Sequence, residues 1–321
     1  MTDYITDEAH GDNWSLLLGD SCERLAEIDT DSVDLSICSP PFEALYTYSP
    51  TPRDLGNSAD RIQFLDHYRF IVDHQLRVTK PGRIACVHVQ QIATKKAVDG
   101  FVGLTDFRGD VIRLFQSAGW IYYGETTVWK DPQAQSIRTK SFALAFATKN
   151  RDSAASRPAL ADYLLIFRKP GENAVKIPHN AATGEVTNDD WIEWASPIWA
   201  DLHEGGWLTD DGYLCPVWHG IKETDTLNTA VAKANNDERH ICPLQLPFID
   251  RCVRLWSNPG ELVLTPFAGI GSELYQAVKR DRRAIGIELK PEYWATAVDN
   301  LTRLEAEMAA PSLFDSEAAA S

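Results

Sequence analysis

Apolar and polar positions fall into alternating blocks along the first half of this chain. Trp14 to Leu18 is a short apolar run ended by Gly19-Asp20-Ser21, and CERLAEI behind it has helical spacing. SVDLSIC is the next apolar run. RIQFLDHYRFIVDHQLRVTKPGR places Phe64, Tyr68, Ile71 and Leu76 on one side of a helix that stops at Pro81-Gly82. IACVHVQ reads as a strand, DVIRLFQSAGW as a helix closed by Gly119, and IYYGETTVW and DYLLIFRK as two more strands. Strand and helix in alternation predict an α/β sheet. The alternation breaks at Pro170 and resumes with the helix QLPFIDRCVRLW, the strand ELVLTPF, the helix ELYQAVKR, the strand RAIGIEL and the helix PEYWATAVDNLTRLEAEM. Residues 170–238 between the two parts are polar, loop-rich and hold five of the ten tryptophans, so they read as a small inserted module with a compact Trp-rich core. The predicted organisation is 14–169, an insert at 170–238, 239–308, and a frayed tail at 309–321.

Two of the apolar runs end in unusual ways. The first stops on Ser39, Pro40, Pro41 and Phe42. Proline fixes φ and carries no N–H, so this step can neither extend a sheet ladder nor open an ordinary helical turn. It can make a loop of set shape at a strand end, rich in acceptors and poor in donors. The second apolar run ends at Thr265 and leads into Phe267-Ala268-Gly269-Ile270-Gly271, a helix, and a strand closed by Glu288. Gly269 and Gly271 let the backbone turn tightly and approach a ligand, and a carboxylate at Glu288 is placed to accept from ribose hydroxyls. An ordinary strand–helix turn accounts for the two glycines equally well when they are taken alone. A third glycine, needed to cradle a pyrophosphate, is missing, which speaks against a dinucleotide and a dehydrogenase. A nucleoside ligand without pyrophosphate, such as S-adenosylmethionine, needs fewer bare backbone positions. In an open α/β sheet, ligands sit beyond the carboxyl ends of the strands where the strand order reverses. If the two strands are neighbours there, one loop holds the cofactor and the other presents the group to be modified.

Composition narrows the partners. The 321 residues are 44% hydrophobic, enough for one large domain with or without a smaller one, and no apolar run is long enough for a membrane span. The N-terminus lacks a signal peptide's basic start and apolar centre, which fits a cytoplasmic protein. Six cysteines without CxxC spacing read as buried thiols, and eight histidines without ligand spacing predict no metal. The formal charge of −15 disfavours non-specific nucleic-acid binding. The charge is uneven, however: residues 130–169 hold eight basic side chains against three acidic ones, including Arg138, Lys140, Lys149 and Arg151. A solvated face is the plain reading of such a run unless something else points to DNA.

Ser39-Pro40-Pro41-Phe42 and Phe267-Ala268-Gly269-Ile270-Gly271, in that order and after Gly19-Asp20-Ser21, resemble the signatures of a known family. The family is the DNA amino-methyltransferases, in their permuted β class, which methylate cytosine N4 or adenine N6. The match covers about 14–168 and 239–305. Thr265 stands where the family usually has Asp, and Ser272-Glu273 where it usually has Thr. The run SPPFEALYTYSPTPRDLGN also resembles solitary methylases of phages and mobile elements. The resemblance implies a Rossmann-like S-adenosylmethionine-dependent methyltransferase sheet, mostly parallel with one antiparallel strand, with the insert as target-recognition module. It implies double-stranded DNA as partner and S-adenosyl-L-methionine as methyl donor. Catalysis is expected from Ser39, Pro40, Pro41 and Phe42. Cofactor contacts are expected from Asp20, Pro243, Gln245, Thr265, Phe267, Gly269, Gly271 and Glu288, and DNA contacts from Arg138, Lys140, Lys149, Arg151 and the insert. Ser at the first loop position goes with cytosine N4 in the family, so cytosine is favoured over adenine. An RNA or protein methyltransferase and a silent DNA-binding module are the rival readings. The target sequence and a restriction partner are not legible, and a homodimer stays open.

Overall fold

The computed structural model describes residues 4–42, 51, 53–94, 96–128, 149–150, 152–179, 185–195, 199–200, 214–215, 217–218, 225–227 and 243–310. Its main sheet is built from β1 (Asp7–His10), β2 (Trp14–Leu18), β3 (Val33–Cys38), β4 (Thr79–Gln90), β5 (Ile121–Val128), β6 (Asp162–Arg168), β7 (Val217–Trp218), β8 (Leu262–Thr265) and β9 (Arg283–Glu288). The spatial order is β1-β2-β9-β8-β3-β4-β6-β5-β7. Strands β2, β9, β8, β3 and β4 are mutually parallel, and β6 runs against β4 and β5. The sheet is thus mostly parallel, as expected. A second antiparallel strand, β1, pairs with β2 at the edge. Its sequence, Asp-Glu-Ala-His, is polar because the edge is exposed, so no apolar signal announces it.

Helices cover both faces. On one side lie α2 (Arg61–Val78) and α3 (Phe107–Ala118). Asp60 caps α2 by accepting from the Gln63 N–H, and Asp106 caps α3 through the Gly109 N–H. Gly119 ends α3 at φ 103°, a left-handed C-cap that glycine adopts without penalty. These helices bury Phe64, Tyr68, Ile71, Val72 and Phe115 against the sheet, where the Phe115 ring stacks on Phe167 at 4.2 Å. On the other side lie α5 (Leu246–Trp256), α6 (Ser272–Lys279) and α7 (Pro291–Ala309), numbered after α1 (Ser21–Arg24) and α4 (Asn188–Ala195). They pack Phe248, Ile249, Val253, Leu274, Ala277 and Leu301 into a second apolar layer.

All six positions of β3 are buried, so its polar residues need partners. Asp34 accepts from the Leu262 N–H at 2.9 Å and pairs with Lys80, and Ser36 Oγ accepts from Gln75 Nε2 at 3.0 Å. Strand β4 begins at Thr79, before the Pro81-Gly82 stop where a break was expected. The ladder jumps from Val33↔Thr79 to Leu35↔Ile84, and Gly82 takes φ 74° in that irregularity.

Strands β8 and β3 pair in parallel through Val263↔Leu35 and Leu264↔Ser36. From β8 the chain crosses by α6 to β9, and from β3 by α2 to β4, so the two crossovers diverge toward opposite edges on opposite faces. That is a switch point, and it opens a crevice beyond the carboxyl ends of β8 and β3.

Most of the insert lies outside the described residues. One described stretch of it, 185–195, packs onto α5: Trp194 is buried under the Arg254 guanidinium at 4.4 Å, and Glu193 accepts from Arg251 at 2.9 Å. Two further strands, Trp199–Ala200 and Leu214–Cys215, pair with each other. No helix among the described residues is long and apolar enough to cross a membrane.

Candidate active site

A cleft of about 390 Å³ occupies that crevice. Every strand that contributes to it does so at the same end. Gly19-Asp20-Ser21 follows β2, the Ser-Pro-Pro-Phe step follows β3, the glycine turn follows β8, Glu288 closes β9, and His88 and Gln90 close β4. Strand β6 runs the other way, so its first residue, Asp162, arrives at the same place.

One lip is a stitched set of turns. The Gly269 N–H donates to Glu288 Oε2 at 2.7 Å and the Lys290 N–H to Oε1 at 2.8 Å. Ser21 Oγ–H donates to the Pro266 carbonyl at 2.6 Å, and the Gly19 N–H to the Glu288 carbonyl at 2.9 Å. Gly269 sits at φ 53°, and a Cβ there would meet nothing within 4 Å, because that side faces the open cleft. Gly271 has a different role: at φ 89° it caps α6, and a Cβ would lie 3.1 Å from that of Ala297.

Two carboxyls on this lip are displaced upward. Burial pushes Glu288 up to about 7, against the pull of the Lys290 and Gly269 N–H groups, with nearby Asp54 adding to the rise. Burial pushes Glu273 up to about 8, and Glu288 adds to it. Gln245 Oε1 and Ser272 Oγ are buried without hydrogen-bond partners, and both residues line the cleft. Unpaired buried polar atoms aimed at an open nucleoside-sized space fit a polar ligand.

The expected residues meet with few exceptions. Ser39, Pro40, Pro41, Phe42, Asp20, Pro243, Gln245, Phe267, Gly269 and Glu288 all line the cleft. Gly271 and Thr265 do not. Thr265 is buried behind the turn with its Oγ1 unpartnered. Asp20 has other partners: Oδ1 accepts from the Cys22 N–H as the cap of α1, and Oδ2 pairs with Arg53 at 3.1 Å. Arg53 also stacks over the Tyr4 ring at 4.1 Å and pairs with Glu23, bracing the cleft mouth. Of the basic residues expected on DNA, Arg138, Lys140 and Arg151 lie outside the described residues, and Lys149 is exposed in a turn away from the cleft lining.

The other lip holds groups that the sequence reading missed. Ser39 Oγ is 3.0 Å from His88 Nδ1, and His88 Nε2 is 2.8 Å from Asp162 Oδ2. Gln90 Nε2 donates to Asp162 Oδ1 at 2.7 Å. His88, Gln90 and Asp162 are all buried. The Phe248 ring meets the imidazole edge-on at 5.4 Å and Phe42 lies at 6.1 Å, which holds the imidazole in place. The signal was present in IACVHVQ: His88 and Gln90 alternate with Val87 and Val89, so two polar groups share one face at the end of a buried strand.

A doubly wound sheet with one glycine-and-carboxylate lip and one acceptor-rich lip facing it defines a Rossmann-like fold with a ligand cleft at its switch point. The comparisons with known proteins are more specific. Residues 33–299 match the DNA methylase family N6_N4_Mtase, and the chain belongs to that family of DNA amino-methyltransferases. It is similar to the Type II methyltransferase M.MjaI of Methanocaldococcus jannaschii, 24% identical over 302 residues, which are 86% of this chain and 87% of that one. It is also similar to M.SmaI of Serratia marcescens, 23% identical over 90% of each chain. Among solved structures, the Thermus thermophilus protein TTHA0409, complexed with S-adenosyl-L-methionine, superposes with a TM-score of 0.64 at 22% identity, covering 89% of this chain and 92% of that one. PvuII DNA methyltransferase (cytosine-N4-specific) superposes with a TM-score of 0.59 at 17% identity, covering 92% of each. These two likenesses establish the shared fold.

Proposed function

We propose that this chain transfers a methyl group from S-adenosylmethionine to an exocyclic amine of a base flipped out of duplex DNA, with cytosine N4 as the target. The observation that carries the reading is the juxtaposition of two chain-distant turns, Ser39–Phe42 and Phe267–Gly271, at the ends of paired strands around one cleft. The lip with Gly269 and Glu288 is the cofactor side: the carboxylate is placed for ribose hydroxyls, and Gly269 leaves the backbone bare for close approach. Pro243 and Gln245 border the methionine end, and the unpartnered Gln245 Oε1 and Ser272 Oγ supply polar contacts. When bound, the cofactor supplies an electrophilic methyl on a sulfonium.

The other lip prepares the amine. Its lone pair is delocalised into the base ring, so it attacks only if the nitrogen is held where it can pyramidalise. Ser39 Oγ and a carbonyl of the Pro-Pro step accept its two N–H groups, and the prolines offer no competing donors. Because the loop is rigid, these acceptors need no reorganisation at the moment of reaction. Phe42 stacks on the flipped base, a contact worth roughly 1–3 kcal/mol. The basic stretch with Arg138, Lys140, Lys149 and Arg151, together with the insert at 170–238, supplies the contacts to the duplex.

Transfer from methyl-labelled cofactor to duplex DNA, RNA and protein, run in parallel, tests this directly. Label in DNA alone is the expected result. Label in RNA or protein, or in none, contradicts it. Adenine N6 in place of cytosine N4 would keep the mechanism and correct the base.

A further inference from the structure

The chain Gln90–Asp162–His88–Ser39 has a direction. Gln90 Nε2 donates to one Asp162 oxygen at 2.7 Å, which makes that oxygen an acceptor. Its other oxygen faces His88 Nε2 at 2.8 Å, and as an ionised carboxylate it accepts the imidazole proton from Nε2. Nδ1 then carries a lone pair, 3.0 Å from Ser39 Oγ. The serine hydrogen points to that lone pair. What Ser39 turns toward the cleft is therefore oxygen lone pairs. A serine with no such partner can face a substrate as donor or acceptor, whereas this one is committed to accept.

We propose that His88, fixed by Asp162, is a positioning residue that locks Ser39 as an acceptor for the substrate amine and takes the serine's proton as the amine loses one. This rests on the methyl-transfer reading above. As the nitrogen gains the methyl, the S–C bond breaks and the sulfur keeps the bonding pair. One N–H proton of the amine passes to Ser39 Oγ, and the Ser39 proton passes to His88 Nδ1. The positive charge lost at sulfur reappears as an imidazolium paired with Asp162. The products are a methylated amine, a neutral thioether and one proton held on His88, which leaves to solvent afterwards.

Asp162 approaches His88 from β6, Ser39 from the loop after β3, Phe42 from the same loop and Phe248 from α5. Among the other lining residues, the titratable groups are Glu273 and Glu288 on the cofactor lip, with Asp20, Cys22, Asp54, Arg53, His67, Lys290 and Tyr293 elsewhere. When His88 is protonated, Nδ1–H donates to Ser39 and the hydroxyl hydrogen turns toward the amine. In that state Ser39 no longer accepts from the amine.

Two arms test this. Nitrogen-15 NMR of the histidine rings in the ligand-free protein at pH 8 reads the tautomer without any reaction. The wild type should show His88 protonated at Nε2. In Asp162→Asn, Gln90 holds the amide oxygen, so the amide NH2 faces His88 and the proton moves to Nδ1. Single-turnover methyl transfer is the second arm. Asp162→Asn should lose roughly 10²–10⁴-fold in rate, with cofactor affinity within about twofold of wild type. His88→Asn keeps an acceptor near the Nδ1 position but cannot take up the serine's proton. It should be slower than wild type but faster than Asp162→Asn. A wild-type Nδ1–H tautomer, or a His88→Asn variant as fast as wild type, overturns the relay. A wild type that binds cofactor but methylates no DNA overturns the functional reading instead.

Discussion

Filling the cleft with a cationic cofactor should expel protons. Glu288 at about 7 and Glu273 at about 8 are, respectively, half and mostly protonated at pH 7 in the empty protein. If the bound cofactor's positive charge came within about 7 Å, at an effective dielectric near 20, it would favour an ionised carboxyl by about 2 kcal/mol. That exceeds the ~1.4 kcal/mol of one pKa unit. Binding S-adenosylmethionine at pH 7 should therefore release about one proton. Calorimetric titration in buffers of different ionisation enthalpy reads that number. The demethylated product, a neutral thioether, should release fewer, and Glu273→Gln should remove the larger share. Proton uptake, or equal release for cofactor and product, would refute the reasoning. The same two groups tie stability to pH. Their folded values lie above the unfolded 4.5, so the stabilisation they give is complete below about 4.5 and lost as pH rises through about 8. Glu273→Gln should then melt higher than wild type at pH 8 and not at pH 4.

Gly269→Ala meets no clash and should cost only about 1–2 kcal/mol of stability for its left-handed backbone, yet weaken cofactor binding by about tenfold or more; unchanged affinity in a titration would place the cofactor elsewhere. Trp194→Ala empties a buried site under Arg254 and should destabilise by about 3–5 kcal/mol, read from denaturant midpoints. Phe42→Leu should raise KM for DNA by about tenfold while cofactor affinity holds, in line with the loss of one base-stacking contact.

The sequence carried the architecture because its signals were local. The blocks from Trp14, Leu35, Phe64, Val111, Phe248 and Val263 each mark an element by period and punctuation, and the two odd strand ends marked the cleft. It hid β1, whose edge position leaves no apolar side to read. It gave Thr265 and Gly271 the look of cofactor residues, although one is buried behind the turn and the other shapes the helix entry. The Ser39–His88–Asp162 chain was the hardest to see. Its members stand 49 and 74 positions apart and meet only because β3, β4 and the antiparallel β6 are neighbours. A single sequence names such residues without saying that they touch. Asp20 lines the cleft as its motif suggested, and its carboxylate also caps a helix and pairs with an arginine, roles the motif did not announce.

Nucleoside mass spectrometry of DNA from cells that make this protein tests the central claim most directly. N4-methylcytosine should appear with the wild-type chain and vanish with Ser39→Ala, while the purified variant still binds S-adenosylmethionine. Undiminished N4-methylcytosine with Ser39→Ala, or no methylated base from a wild type that binds cofactor, would contradict the account.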